Sequence, residues 1–188
     1  MTTDKPPSRP RTLLYRPWQA GDSAQAVTAL LHRAFDPLAQ QGLTCASGRQ
    51  PAEATLARIE QGWCFVAEDG GRIVGTLTVY ASEPESSSRV YRNVRVASVH
   101  QFAVEPAYQG AGVGDALLRL AACAAKRAGF AVLALDTPKR AKHLLAFYRH
   151  HGFRVAESLR FAGRDYTSLV LEKPLRAQAA RLPATAWL

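Results

Sequence analysis

The chain has 188 residues, 47% hydrophobic and 21% charged, the balance of a soluble globular protein with one core. It holds no run of about 18 apolar residues, which excludes a membrane-spanning helix. The net charge of +9 admits nucleic acid, an acidic membrane surface or an anionic small ligand, but the basic residues form no Lys/Arg block, so no nucleic-acid and no membrane partner is expected.

The opening residues, MTTDKPPSRPRTLLYRP, contain no apolar segment of signal-peptide length, which predicts cytoplasmic residence. Residues 1–11 are expected to be a flexible lead. TLLYRPW (12–18) predicts a first strand ended by Pro17. Asp22 or Ser23 can cap a helix over SAQAVTALLHRAF, with Val27, Leu30, Leu31 and Ala34 on one face. PAEATLARIEQG opens on a proline suited to a helix start and spaces Leu56, Ile59 and Glu60 helically. WCFVAEDGGRIVGTLTVYAS predicts a hairpin, because Gly70 and Gly71 supply the positive φ of a tight turn. A polar loop, EPESSSRVYRN, leads into a longer strand, VRVASVHQFAV. After three glycines, a helix places Leu117, Leu118, Ala121, Ala124, Ala125 and Ala128 on one stripe and stops at Gly129. FAVLALD reads as a buried strand and PKRAKHLLAFYRHHG as a helix, and FRVAESLRF and RDYTSLVLEKPL read as two closing strands. The string predicts one mixed α/β domain over 12–175. Residues 176–188 form an expected tail, whose Trp187 is a candidate contact for a partner.

Cys45, Cys64 and Cys123 are odd in number and form no CxxC pair, so neither a disulfide framework nor a zinc site is expected, and no metal. Cys123 reads as helix filling.

The glycines carry more information. Gly110, Gly112 and Gly114 lie at a predicted helix N-terminus, where free N–H groups and the helix dipole favour an anion. A dinucleotide site would place an acid near Asp136, but the spacing is G-x-G-x-G rather than G-x-G-x-x-G, and EPAYQ separates the strand from the glycines. No Gly-Lys-Ser/Thr follows, against a P-loop. A pyrophosphate cradle and a turn that merely packs a helix on a sheet both fit.

QGAGVG after FAVEPAY resembles the Q/R-x-x-G-x-G/A motif of the GNAT N-acetyltransferase superfamily, through Gln109, Gly112 and Gly114. LLAFYRHHGF resembles that family's A-x-x-x-Y-x-x-x-G-F segment, through Tyr148, Gly152 and Phe153. The order of elements is similar from Leu13 to Leu175. The resemblance implies a mixed, centrally splayed β-sheet flanked by helices, with acetyl-CoA as co-substrate. It implies a pantetheine arm beside Phe102, Ala103 and Val104, Gln109 in the motif, and a pyrophosphate on the N–H groups of Gly110, Ala111, Gly112, Val113, Gly114 and Asp115. The basic stretch Lys139 to Arg149 would attract the 3′-phosphate. Ala141 stands where many members carry an Asn that helps hold the pantetheine. A homodimer is left open.

Acetyl transfer also needs a proton donor for the leaving thiolate and a base for the attacking ammonium. Tyr148 is the candidate acid, on a helix face with Ala141, Leu144 and Leu145. His100 is the candidate base, in the position of a catalytic histidine of serotonin N-acetyltransferase-like members, with Glu83 and Glu85 in reserve. Alternation along the strand groups His100 with Val96, Phe102 and Val104, which also fits a core histidine. His143, His150 and His151 read as surface charge. The expected reaction is direct attack by an amine on a small molecule or peptide, with no acetyl-protein. A basic protein matches a polycationic acceptor poorly, so a small or neutral acceptor is favoured, although the acid in SEPES (82–86) could reverse this. The alternative is a non-catalytic acyl-CoA-binding sensor or interaction module.

Overall fold

The computed structural model describes residues 13–175. The expected lead (1–11) and tail (176–188) lie outside the described residues. Seven strands form one sheet in the order β1-β2-β3-β4-β5-β7-β6, with two helices on each face. The strands are β1 (Leu14–Pro17), β2 (Trp63–Asp69), β3 (Arg72–Tyr80), β4 (Val96–Val104), β5 (Val132–Pro138), β6 (Arg154–Leu159) and β7 (Ser168–Pro174). The helices are α1 (Ala24–Ala39), α2 (Ala52–Glu60), α3 (Val113–Arg127) and α4 (Lys142–His150). This is the mixed, splayed sheet that the resemblance implied.

Ser23 caps α1, its hydroxyl accepting from the Ala26 N–H at 3.2 Å. The helix runs through Pro37, past its expected end at Phe35. Val27, Leu30 and Leu31 pack with Ile59 of α2, Val66 and Ala103 on one face of the sheet. On the other face, α3 buries Leu117, Leu118, Ala121 and Ala125 against Leu77, Val79, Ala97 and Val99. Leu117 is wholly buried, so its truncation to alanine is expected to cost about 2–5 kcal/mol. The stripe is narrower than the spacing suggested: Ala128 and Cys123 face solvent, so Cys123 is not helix filling. The third cysteine position, Cys45, is half-buried. Helix α4 starts at Lys142 rather than at Pro138, because Pro138 pairs with Ser168 as the last residue of β5.

Two irregularities set up the site. The first is the junction of the only parallel pair among the described residues: β4 and β5 pair over just Val96↔Val132, Ala97↔Leu133 and Ser98↔Ala134. Beyond Ser98, β4 stays with β3 while β5 continues along β7 to Pro138, so the sheet opens as a wedge. The second is a bulge in β4. Thr78 pairs with His100 and Thr76 with Ala103, so Leu77 alone faces Gln101 and Phe102. Gln101 takes up the extra residue at φ 47°, the one non-glycine among the described residues with positive φ. That strain, about 1–3 kcal/mol, is typical of functional sites. The bulge also reverses the alternation. Val99 packs toward α3 before it, and Phe102 and Val104 pack there after it. His100 therefore shares the opposite face, and the grouping of His100 with Phe102 and Val104 is corrected.

Candidate active site

The wedge contains a cavity of ≈520 Å³. The three motif glycines line it. Gly110 and Gly112 adopt φ 75° and 81°, conformations that L side chains resist, and Gly112 is the residue before the first turn of α3. The first bond from the loop into the helix is Ala116 N–H to Gly112 O at 3.1 Å, so the N–H groups of Val113, Gly114 and Asp115 precede any helical acceptor. Gly114 serves closeness instead: a Cβ there would meet Phe147 at 3.3 Å and Phe102 at 3.4 Å. The Gln109 amide donates to Val104 O at 3.1 Å, tying the loop to the end of β4. Free donors, a helix N-terminus and no intruding side chain fit a pyrophosphate. The β4 edge beyond Ser98, released from β5, offers backbone groups to an extended arm.

Tyr148 lies inside the wedge, among the rings of Phe147, Phe153 and Phe102 at 5.4, 6.0 and 6.4 Å. Burial, with the nearby Asp136 charge, pushes its phenol well above the ordinary value, and no hydrogen bond contributes. The hydroxyl thus holds its proton firmly, and no described residue hydrogen-bonds to it. Asp136 itself is neutralised by Arg164 and accepts from the Tyr91 hydroxyl at 3.3 Å. Arg164 also reaches Ser168 Oγ at 2.9 Å and stacks over Phe161 at 4.6 Å.

His100 lies on the α1/α2 side of the same cavity. Its Nε2 is 2.9 Å from both Glu83 Oε1 and Ser98 Oγ, and its ring stacks on Tyr80 at 4.3 Å. The Ser98 hydroxyl already donates to Glu83, so the Nε2 proton also points at that carboxylate. In this neutral tautomer, assigned from the network, Nδ1 keeps the basic lone pair. Burial pushes the Glu83 carboxyl up, but the His100 and Ser98 hydrogen bonds outweigh it and hold it below the ordinary value. The 81–95 loop that delivers Glu83 is pinned twice. Glu83 N–H bonds Tyr91 O at 2.8 Å, and the Ser88 hydroxyl donates to Glu157 of β6 at 2.5 Å.

Of the residues singled out from sequence, Tyr148, His100, Phe102, Ala103, Val104, Gln109, Gly110, Gly112, Gly114 and Asp115 all line this one cavity. Ala111 and Val113 do not line it: Ala111 is exposed, with its N–H donating to Tyr108 O at 3.4 Å, and Val113 packs into the core. His151 is no free surface charge. Its ring packs on Phe147 at 4.6 Å, with Nε2 2.7 Å from Asp115 Oδ1 but out of line for a hydrogen bond. Sequence reasoning missed Cys45, Arg58, Arg164 and Tyr166, which also line the cavity. Burial pushes the Cys45 thiol up, which makes it a poor nucleophile. Burial likewise pushes the Tyr166 phenol up, to about 12. Among the described residues no group of three His, Cys, Asp or Glu is placed to hold a metal, and no helix is long and apolar enough to cross a membrane.

A helix N-terminus built on glycines and a hydrogen-bonded histidine along one cavity suit group transfer from a phosphate-bearing donor. Residues 60–155 match the family described as acetyltransferase (GNAT) domain. The chain is 25% identical over 158 residues to the S-(2-succino)cysteine N-acetyltransferase of Bacillus subtilis (strain 168), covering 81% of this chain and 91% of that protein. Its fold is similar to that of the ribosomal-protein-S18-alanine N-acetyltransferase from Escherichia coli, with TM-score 0.67 and 17% identity, over 91% of this chain and 99% of the other. It is also similar to a GNAT family acetyltransferase from Elizabethkingia anophelis with acetyl-CoA bound, with TM-score 0.61 and 19% identity, over 86% and 97% of the two chains. The chain belongs to the GNAT acetyltransferase family and is an acetyl-CoA-dependent acyltransferase.

Proposed function

We propose that this enzyme transfers an acetyl group from acetyl-CoA to the primary amine of a small-molecule or peptide acceptor, by direct attack within a ternary complex. One observation carries the reading: a single cavity joins the glycine cradle, Tyr148 and His100, whose Nε2 Glu83 holds at 2.9 Å. The donor supplies an acetyl group activated as a thioester. The N–H groups of Gly112, Val113, Gly114 and Asp115 bind its pyrophosphate, with Gly110 and Ala111 shaping the approach. Phe102, Ala103 and Val104 align its arm along the free edge of β4, with a backbone N–H near Val104 polarising the carbonyl. The exposed basic residues of α4 and the turn before it attract its distal phosphate.

The acceptor arrives as an ammonium with pKa near 10.4 and must lose a proton to react. His100 takes that proton at Nδ1, while Glu83 holds the ring in its tautomer and steadies the imidazolium that forms. Tyr148 gives its proton to the departing thiolate. Burial makes the phenol a weaker acid than in water but keeps it fully protonated at neutral pH. Cys45, with its thiol pushed up, forms no covalent intermediate. The oriented His100 favours this reading over a non-catalytic acyl-CoA-binding module, which has no need of a base. The enzyme is placed in the cytoplasm by the same proposal.

Incubation with acetyl-CoA alone, followed by intact-mass analysis and then addition of an amine panel, tests direct attack. Unmodified protein and amine-dependent thiol release are expected. An acetylated protein that passes its acetyl group to the amine would overturn it.

A further inference from the structure

We infer that Arg58 is a carboxylate-binding residue of the acceptor pocket, so that the acceptor is a small primary amine that also bears a carboxylate. The inference rests on the cavity being the acetyl-transfer site. It narrows the acceptor, which the sequence left as small or neutral.

Helix α2 brings Arg58 to the cavity wall on the His100 side of the sheet. Its Nη1 donates to Ser47 Oγ at 3.1 Å and to Gln50 Oε1 at 2.8 Å, both neutral. Those bonds anchor the guanidinium without a direct ion pair, and Glu83 feels its charge only at longer range. Nε and Nη2 make no hydrogen bond among the described residues, and no carboxylate there lies within ion-pairing distance of Arg58. Arg164, the other guanidinium in the wall, contrasts with it: Asp136 already neutralises that charge. The free edge of the Arg58 fork is the geometry that takes a carboxylate through paired N–H···O bonds.

Two further observations point the same way. Arg58 is held in register with the base: its carbonyl accepts the Tyr80 hydroxyl at 2.8 Å, and Tyr80 stacks on His100 at 4.3 Å. The Arg58 charge is felt by Glu83, which is occupied by His100 and Ser98. The same cavity wall also contains three buried polar atoms without a partner among the described residues, Gln101 Nε2, Thr137 Oγ1 and the Tyr166 hydroxyl, on residues 3%, 2% and 6% exposed. All three can donate, and a buried donor left unpaired is unfavourable until an oxygen meets it. A cation and spare donors complement an oxygen-rich anionic molecule, not a second cation.

The test compares free α-amino acids, S-carboxymethyl-L-cysteine among them, with the same compounds as carboxamides. Each is assayed with saturating acetyl-CoA by thiol release, on wild type, Arg58→Lys and Arg58→Met. Wild type is expected to prefer acids over amides by about 10-fold or more in kcat/KM. Arg58→Met should raise KM for the acids by about 10- to 100-fold, leave the amides unmoved, and leave donor titration unchanged. Arg58→Lys should fall between. Equal use of acids and amides by wild type would overturn the proposal, and that comparison stands even if a variant fails to fold. Equal losses on acids and amides in Arg58→Met would make Arg58 a structural clamp on residues 47–50 and would also overturn it. If no amine is turned over, the transfer reading fails separately. The acids are then titrated into protein saturated with coenzyme A: binding lost in Arg58→Met sustains the pocket, and no binding overturns it.

Discussion

The three motif glycines are replaceable at different costs, and the structure orders those costs. At Gly112, φ is 81° and an added Cβ would meet only Asp115 Oδ2, at 3.8 Å. Alanine there fits sterically but must hold a left-handed backbone, which costs about 1–2 kcal/mol. For a chain of this size that is a fall in Tm of about 2–8 °C. Gly110, at φ 75° with nothing within 4 Å of a Cβ, should fall by a similar amount for the same reason. Gly114 has ordinary helical backbone, and its Cβ would press on the ring tips of Phe147 and Phe102 at 3.3 and 3.4 Å. The rings must yield by tenths of an ångström, against which alanine gains up to about 1 kcal/mol of helix propensity, so Tm should move by only about 2 °C. Its effect should appear instead as weaker acetyl-CoA binding, because both rings border the donor side of the cavity. Thermal melts and donor titrations on Gly110→Ala, Gly112→Ala and Gly114→Ala measure both quantities. A Gly114→Ala protein that melted well below Gly112→Ala would refute the assignment of backbone strain to the first two and packing to the third.

Tyr148→Phe removes a buried hydroxyl that has no hydrogen bond to lose, so Tm should hold within about 2 °C while kcat falls about 10²- to 10⁴-fold at unchanged donor affinity; steady-state kinetics with an unchanged kcat would remove Tyr148 from the acid role. Glu83→Gln tests the network through pH. The folded-state carboxyl titrates below its unfolded value of about 4.3, so its stabilisation is present above that pH and is lost as pH falls. The Tm gap between wild type and Glu83→Gln should therefore be full at pH 7 and close on acidification, and a gap independent of pH would contradict the pairing with His100. Arg164→Met leaves Asp136 buried without its cation, for an expected loss of about 3 kcal/mol by chemical denaturation. Adding Asp136→Asn should recover much of that loss, and additive losses would show that the two side chains do not act as a pair.

The cradle and Tyr148 were legible because their signals are local: glycines at a helix start, and a tyrosine on the inward face of a short helix before Gly152. The succession of strands and helices along the chain followed from the same local patterns. The bulge left no mark, since Gln101 is not the glycine that usually announces positive φ, and without it the strict alternation of β4 assigned His100 to the wrong face. Pro138 misled in a similar way, because a proline that can open a helix can equally end an edge-pairing strand. Arg58 and Arg164 were invisible for another reason. They lie more than a hundred residues apart in a basic chain, and only tertiary folding shows that one guanidinium is neutralised and the other is not.

The most direct measurement of the central claim is calorimetric titration of the purified protein with acetyl-CoA, with NAD in parallel. Micromolar binding of acetyl-CoA, weakened in Gly112→Ala and absent for NAD, is the predicted result and assigns the glycine cradle to the pyrophosphate of the acyl donor. Binding of NAD, or an acetyl-CoA affinity that ignores Gly112, would contradict it.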